Sequence, residues 1–204
     1  MVKKQIILAV VGLPGSGKSI VAEMLKKKGF EVIELGDIWR ELLKKNNIPR
    51  SDPVAAREFT RKLREKYGKD VYARYALRKI RKRRAEIAIM GVRSTYEMYY
   101  FRRHIKHIRI VALLAPMSVR FRRLKRRGKP EDPKTLKGFR WLEQREKRGF
   151  MKAKSEEKHG VMHVIREADF VIANTASIEK LKENITDVIA TIRRSGNAHK
   201  GKKL

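Results

Sequence analysis

Residues 12–19 read Gly-Leu-Pro-Gly-Ser-Gly-Lys-Ser and fit the pattern G-x-x-x-x-G-K-[ST] at every fixed position. These residue types at this spacing serve one chemistry, the cradling of a polyphosphate. Gly12, Gly15 and Gly17 let backbone N–H groups close on phosphate oxygens without a Cβ in the way. Lys18 is placed to reach the β- and γ-phosphates, and the Ser19 hydroxyl to ligate Mg²⁺. With Leu13, Pro14, Ser16 and Ile20 completing the loop and its first helical turn, residues 12–20 are the expected contact surface of a nucleoside triphosphate. ATP with Mg²⁺ is the expected cofactor, ATP over GTP by default.

The elements on either side must hold that loop. An unbroken apolar run, Ile6 to Val11, precedes it and reads as a buried parallel strand. Ile20, Val21, Met24 and Leu25 follow on one helical face, so a helix starts where the loop ends and points its positive end at the same anion. Further strands are expected at 32–35, 86–90, 108–114 and 169–173. Helices are expected from Gly36, with Asp37 in the first turn, and over 54–67 behind the start signal Ser51-Asp52-Pro53. Others are expected at 71–83, 96–104, 119–127, 135–148, about 154–167, and from Ser177 to about Arg194. Strands alternating with helices give an α/β chain: a five-stranded parallel sheet covered on both faces, three layers in all. Ligands of such sheets sit at the carboxyl ends of the strands. Four candidate positions fall there: the phosphate loop, Asp37, Gly91 to Arg93, and Asn174.

A chain of 204 residues is most simply one domain. The absence of cysteine removes disulfides, thiolate metal sites and cysteine nucleophiles together. No apolar run approaches the roughly 18 residues of a membrane helix, so a soluble, cytoplasmic protein is expected. His159 and His163 have the i, i+4 spacing of helical metal ligands, but Gly160 stands where a zinc protease has its acid, and no zinc site is expected. Tyr96, Tyr99, Tyr100 and Phe101 have helical spacing and read as core. The net charge of +30 leaves two readings open. One is solvated helix faces of thermophile-like composition; the other is a footprint for RNA.

On these motifs the chain resembles the nucleoside monophosphate kinase group of P-loop kinases. Within it, the chain is most similar to the archaeal adenylate-kinase-related and dephospho-CoA-kinase-related proteins, over nearly its whole length to about Arg194. The family's G-D-x-x-R segment is matched by Gly36-Asp37-Ile38-Trp39-Arg40. The resemblance implies that Arg40 contacts the acceptor's phosphate and that Asp37 is the base for an acceptor hydroxyl. As a bare residue, Asp37 reads equally as a helix N-terminal carboxylate favoured by the dipole. The family's third strand ends in an Asp-Gly turn with an arginine shortly after; Gly91 and Arg93 match, but Met90 stands at the aspartate position. The resemblance assigns Arg123, Arg127 and Arg145 to an arginine lid, with 149–160 as extra length, and lays the Asn174 region against the adenine.

The expected organisation is a P-loop kinase domain over 1–195, with a helical acceptor-binding insert at about 37–84 and a lid at about 128–158. A basic tail, 196–204, has no apolar periodicity and is expected to be disordered. The chemistry follows without the family name: phosphoryl transfer needs alignment of two phosphate-bearing ligands and cations on the developing charge. The leading expectation is transfer of the γ-phosphate from Mg-ATP to a nucleotide or nucleotide-like acceptor, by a monomer or dimer. The rival is an RNA- or ribosome-associated factor with weak ATPase activity; a 5′-polynucleotide kinase unites the two.

Overall fold

The computed structural model describes residues 5–130, 132–148 and 159–198. Its centre is β1 (Ile7–Val11), whose five residues are all buried. Ile7, Ala9 and Val11 face one apolar cluster and Leu8 and Val10 the other, which is why the sequence shows no polar alternation there. Four more strands join it: β2 (Glu31–Glu34), β3 (Ile87–Met90), β4 (Arg109–Leu114) and β5 (Phe170–Ala173). Every pairing is parallel, in the order β2-β3-β1-β4-β5. The register sets Val10 against Met90 and Val11 against Ala112, so the turns after β3 and β4 flank the loop that leaves β1.

One face of the sheet is covered by α1 (Lys18–Lys27) and α9 (Ile178–Ala198), through Val21, Leu25, Leu181 and Ile185. The other is covered by α2 (Leu35–Lys45), α4 (Val71–Ile80), α5 (Thr95–His104) and α8 (Val161–Arg166), through Leu42, Ala76, Met98, Phe101 and Val164. This is the expected three-layer α/β fold. α3 (Pro53–Tyr67) packs on α4, while α6 (Met117–Arg127) and α7 (Leu136–Arg148) complete the elements. Among the described residues no helix is long and apolar enough to cross a membrane.

Local chemistry accounts for the helix starts. Asp52 caps α3 by accepting from Val54 N and Ala55 N, with Pro53 at the first helical position. Ser94 and Glu97 form a reciprocal capping box at α5, which fixes the backbone immediately after Arg93. Several boundaries differ from expectation. Leu35 is the first residue of α2 rather than the last of β2. α4 stops at Ile80, because four consecutive cations, Arg81 to Arg84, offer no apolar residue to hold another turn down. α9 continues to Ala198, past the expected end near Arg194. The expected helix from 154 is described only from Val161; the lid stretch 149–158 and the tail 199–204 lie outside the described residues.

Candidate active site

The phosphate loop joins β1 to α1 in left-handed conformations that its glycines alone accept comfortably. Gly15 has φ +80°, and a Cβ there would lie 2.6 Å from the Arg120 carbonyl oxygen. Gly17 has φ +104°, and a Cβ there would lie 2.4 Å from Asn174 Nδ2. The loop is therefore packed from beneath by two residues far away in sequence.

Lys18 arches over its own loop, its Nζ donating to Gly12 O at 2.6 Å and Leu13 O at 3.1 Å. Burial lowers its pKa to about 8; Arg93, Arg120 and Arg127 push the same way and Glu146 opposes them. The loop lysine thus stands in the field of three arginines and one carboxylate.

Each of those arginines is held by a carboxylate from the lid segment. Arg93, three residues beyond β3, donates from Nη1 to Glu146 Oε1 at 3.2 Å. Arg120 pairs through Nη2 with Glu143, both side chains being buried. It also donates from Nε to Ala115 O at 2.9 Å and from Nη1 to Pro14 O at 3.4 Å, with its guanidinium over the Phe139 ring. Arg127 binds Asp132 with both Nε, at 2.8 Å, and Nη2. That hydrogen bonding holds the Asp132 carboxyl below the usual carboxylate range. α7 is therefore anchored to Arg120, which reaches the phosphate loop at Pro14 O, by a fully buried aromatic, Phe139, and a buried ion pair.

The expected lid arginines divide. Arg127 lies in the cationic field of Lys18. Arg123 donates from Nη2 to Asn174 Oδ1 at 3.3 Å, while its buried Nη1 has no hydrogen-bond partner among the described residues and burial disfavours its charged form. Arg145 lies on α7 between Glu143 and Glu146, with its side chain outside the description. Asn174, expected against the adenine, is turned under the loop: its Nδ2 donates to Ser16 O at 2.8 Å and its Oδ1 accepts from Arg123. Its side-chain amide braces the loop, because Gly17 leaves room for it.

The acceptor-side residues lie beyond the ends of β2 and β3. Asp37 is exposed and accepts from Arg40 Nε at 3.1 Å and from Nη2, with Glu34 also beside Arg40. The expected base and the expected phosphate-binding arginine neutralise each other, at the end of an edge strand separated from β1 by β3. Gly91 takes φ +81°, as the turn before Arg93 requires. Met90 is buried in the apolar cluster and adds no carboxylate. His159 meets Thr95 Oγ1 through Nδ1 at 2.8 Å and lies 4.4 Å from the Tyr96 ring. Arg120, Glu143 and Glu146 were not singled out from the sequence. The available signal was the 139, 143, 146 spacing, which lines Phe139, Glu143 and Glu146 along one face of a helix.

A Mg²⁺ arriving on a triphosphate fits the exposed Ser19 hydroxyl, next to Lys18 in the first turn of α1. Among the described residues no group of three His, Asp or Glu side chains could hold a metal by itself. The residues fit a metal that comes with the nucleotide.

A parallel five-stranded sheet with this loop between β1 and α1 is the fold of P-loop kinases. The chain aligns over 91% of its length with a shikimate kinase from Bacteroides thetaiotaomicron, covering 98% of that chain at TM-score 0.53 and 15% identity. It aligns over 96% of its length with a gluconokinase from Sinorhizobium meliloti, covering 99% of that chain at TM-score 0.55 and 11% identity. At such identities the likeness is one of fold. Residues 8–149 match the AAA_18 family, described as an AAA domain. The chain belongs to that family and, more narrowly, to the UPF0200 proteins. It is 36% identical to the UPF0200 protein of Pyrococcus horikoshii, over 91% of this chain and 97% of that one. It is 32% identical to the UPF0200 protein of Sulfurisphaera tokodaii, over 91% of this chain and 97% of that one.

Proposed function

We propose that the protein is a phosphotransferase that moves the γ-phosphate of Mg-ATP to an acceptor of nucleotide or nucleotide-like type, as in the adenylate- and dephospho-CoA-kinase-related proteins it resembles. The carrying observation is Lys18 arched over the phosphate loop, with Arg120 donating to Pro14 O of the same loop and Arg93 just beyond β3, a strand paired with β1. Glu146, Glu143 and Asp132 balance Arg93, Arg120 and Arg127 at rest, and a ligand that displaces a carboxylate meets a cation suited to a transition state whose charge spreads over the transferred group. Lys18 and the loop amides hold the β- and γ-phosphates, and Ser19 holds the Mg²⁺ that neutralises them. Arg93 lies on the side of β3, where an acceptor's anionic group meets the γ-phosphate. The kinase fold of the structural neighbours supports the same reading.

Product analysis with Mg-ATP tests it, using AMP, other nucleoside monophosphates, dephospho-CoA, shikimate, gluconate and a 5′-hydroxyl RNA as acceptors. One acceptor phosphorylated stoichiometrically, with turnover lost in Lys18→Ala, is the expected result. Undiminished activity in that variant refutes the proposal.

A second reading rests on the net charge of +30 and on a cavity of about 320 Å³ lined by Lys69, Asp70, Tyr96, Tyr99, Tyr100 and Arg103. Tyr99, read from the sequence as core, is exposed there. Aromatic faces among cations suit single-stranded RNA, and that reading requires RNA affinity falling steeply with salt. ATP hydrolysed slowly to water, with no acceptor preferred and with stimulation by RNA, would favour it over the kinase.

A further inference from the structure

We propose that Glu146 is the proton acceptor of the transfer step, and hence that the acceptor is an alcohol bearing an anionic group. The assignment rests on the phosphotransferase reading above and deepens it.

The site's carboxylates are distinguished by how they are held. Asp37 is exposed and engaged by Arg40. Glu143 is buried against Arg120. Asp132 accepts two bonds from Arg127 and one from Lys129 N. Glu97 is buried and accepts from Arg93 N and Ser94 N within the capping box. Glu143, Asp132 and Glu97 each have a structural task that would be lost if they moved, and Asp37 lies on α2 beyond the edge strand β2, separated from β1 by β3. Among the described residues, Glu146 is held by one 3.2 Å hydrogen bond from Arg93, and its side chain is 13% exposed.

Its position follows from the backbone. Glu143 and Glu146 are three apart on α7 and share a face. Glu143 is fixed to Arg120, which reaches Pro14 O in the phosphate loop. One turn further on, Glu146 meets Arg93, three residues beyond the end of β3. The opposing influences of Glu146 and Arg93 on Lys18 agree with that placement. An acceptor whose anionic group takes Arg93 frees Glu146 beside the γ-phosphate. The acceptor oxygen then forms its bond to the γ-phosphorus while the bond from that phosphorus to the β,γ-bridging oxygen breaks. The electron pair leaves with the nucleoside diphosphate, and the hydroxyl proton passes to a Glu146 oxygen, returning to water after release. A phosphate nucleophile carries no proton that must be removed in this way, so a carboxylate here is useful to an alcohol.

The test compares wild type, Glu146→Gln and Glu146→Asp, with Mg-ATP and AMP, dephospho-CoA, shikimate and gluconate as acceptors. Binding of a fluorescent ADP serves as a fold control. The expected result is transfer to an anionic alcohol. In Glu146→Gln, kcat should fall about 10²- to 10⁴-fold with ADP affinity changed less than about 3-fold and acceptor KM unchanged or lowered, since Arg93 loses its internal competitor. The acidic limb of the kcat–pH profile should vanish in that variant and return in part with Glu146→Asp. Transfer confined to AMP, or an unchanged kcat in Glu146→Gln, overturns the assignment and leaves the kinase standing. A loss appearing only in acceptor KM also overturns it. Absence of transfer to any acceptor by the wild type refutes the phosphotransferase reading and the assignment with it.

Discussion

The Arg120–Glu143 pair ties α7 to the phosphate loop, and a double-mutant cycle across it tests whether the lid root is seated as described. Arg120 is 4% and Glu143 7% exposed, so each sits where an uncompensated charge is expensive. Removing one member of such a pair costs about 3–5 kcal/mol, because its partner's charge stays buried. Glu143→Leu should therefore destabilise the protein by about that much. For a chain of this length, each kcal/mol lowers the melting temperature by about 2–4 °C, so the drop should be about 6–20 °C. Arg120→Met should cost at least as much, since Ala115 O and Pro14 O lose a donor too. In the double variant no buried charge is left from the pair. What remains is the loss at the two carbonyls, about 1–3 kcal/mol each. The carbonyl losses occur in Arg120→Met and in the double alike and cancel, so the singles should sum to about 6–10 kcal/mol more than the double, one buried-charge penalty for each single. Urea and thermal unfolding followed by circular dichroism give all four corners. Strict additivity, with a coupling below about 0.5 kcal/mol, would show that the two side chains do not depend on each other in solution, and the seating of α7 would be refuted.

Other expectations follow from single contacts. Asn174→Ala removes the donor to Ser16 O and the acceptor of Arg123, and should cost about 1–3 kcal/mol and weaken ADP binding, read by calorimetry. Gly15→Ala should abolish nucleotide binding while leaving the circular dichroism of the sheet intact, because its Cβ meets the Arg120 backbone. Lys18, lowered to about 8 from 10.5, binds fewer protons when folded than when unfolded between those values. Stability should accordingly rise by about 1–3 kcal/mol from pH 7 to pH 10 through this group, and Lys18→Met should remove that rise in urea titrations at each pH. Ser94→Ala should cost about 0.5–2 kcal/mol through the lost cap and disturb Arg93 next to it, read as a lowered melting temperature.

The phosphate loop, the parallel sheet and most helix starts were legible because they depend on short-range rules: glycine spacing, an apolar run without alternation, and Ser or Asp before a helix. Asp52 and Ser94 are cases in point. The partners of the arginines were not legible. Arg120 to Glu143 spans 23 residues, Arg93 to Glu146 spans 53, and Asn174 to Ser16 spans 158. Such pairs are chosen by the docking of α7 and by strand order, and one sequence carries little of either. Asp37 and Arg40 show that one spacing can carry two meanings. Their spacing matched a motif, but i, i+3 on a helix is also what lets an aspartate and an arginine satisfy each other.

The carboxylates beside Arg93, Arg120 and Arg127 bear on which ligands can enter. A tethered carboxylate competes from within the molecule at an effective concentration of millimolar order. A small monoanion that makes no other contact offers each arginine no more than it already has, so such an acceptor needs its hydroxyl groups or the bound nucleotide to gain entry. A ligand with several linked phosphates exchanges with more than one internal carboxylate at once and gains by its valency. Because that exchange is between partners on the protein, ligand entry here should depend on ionic strength far less than a charge of +30 alone would suggest.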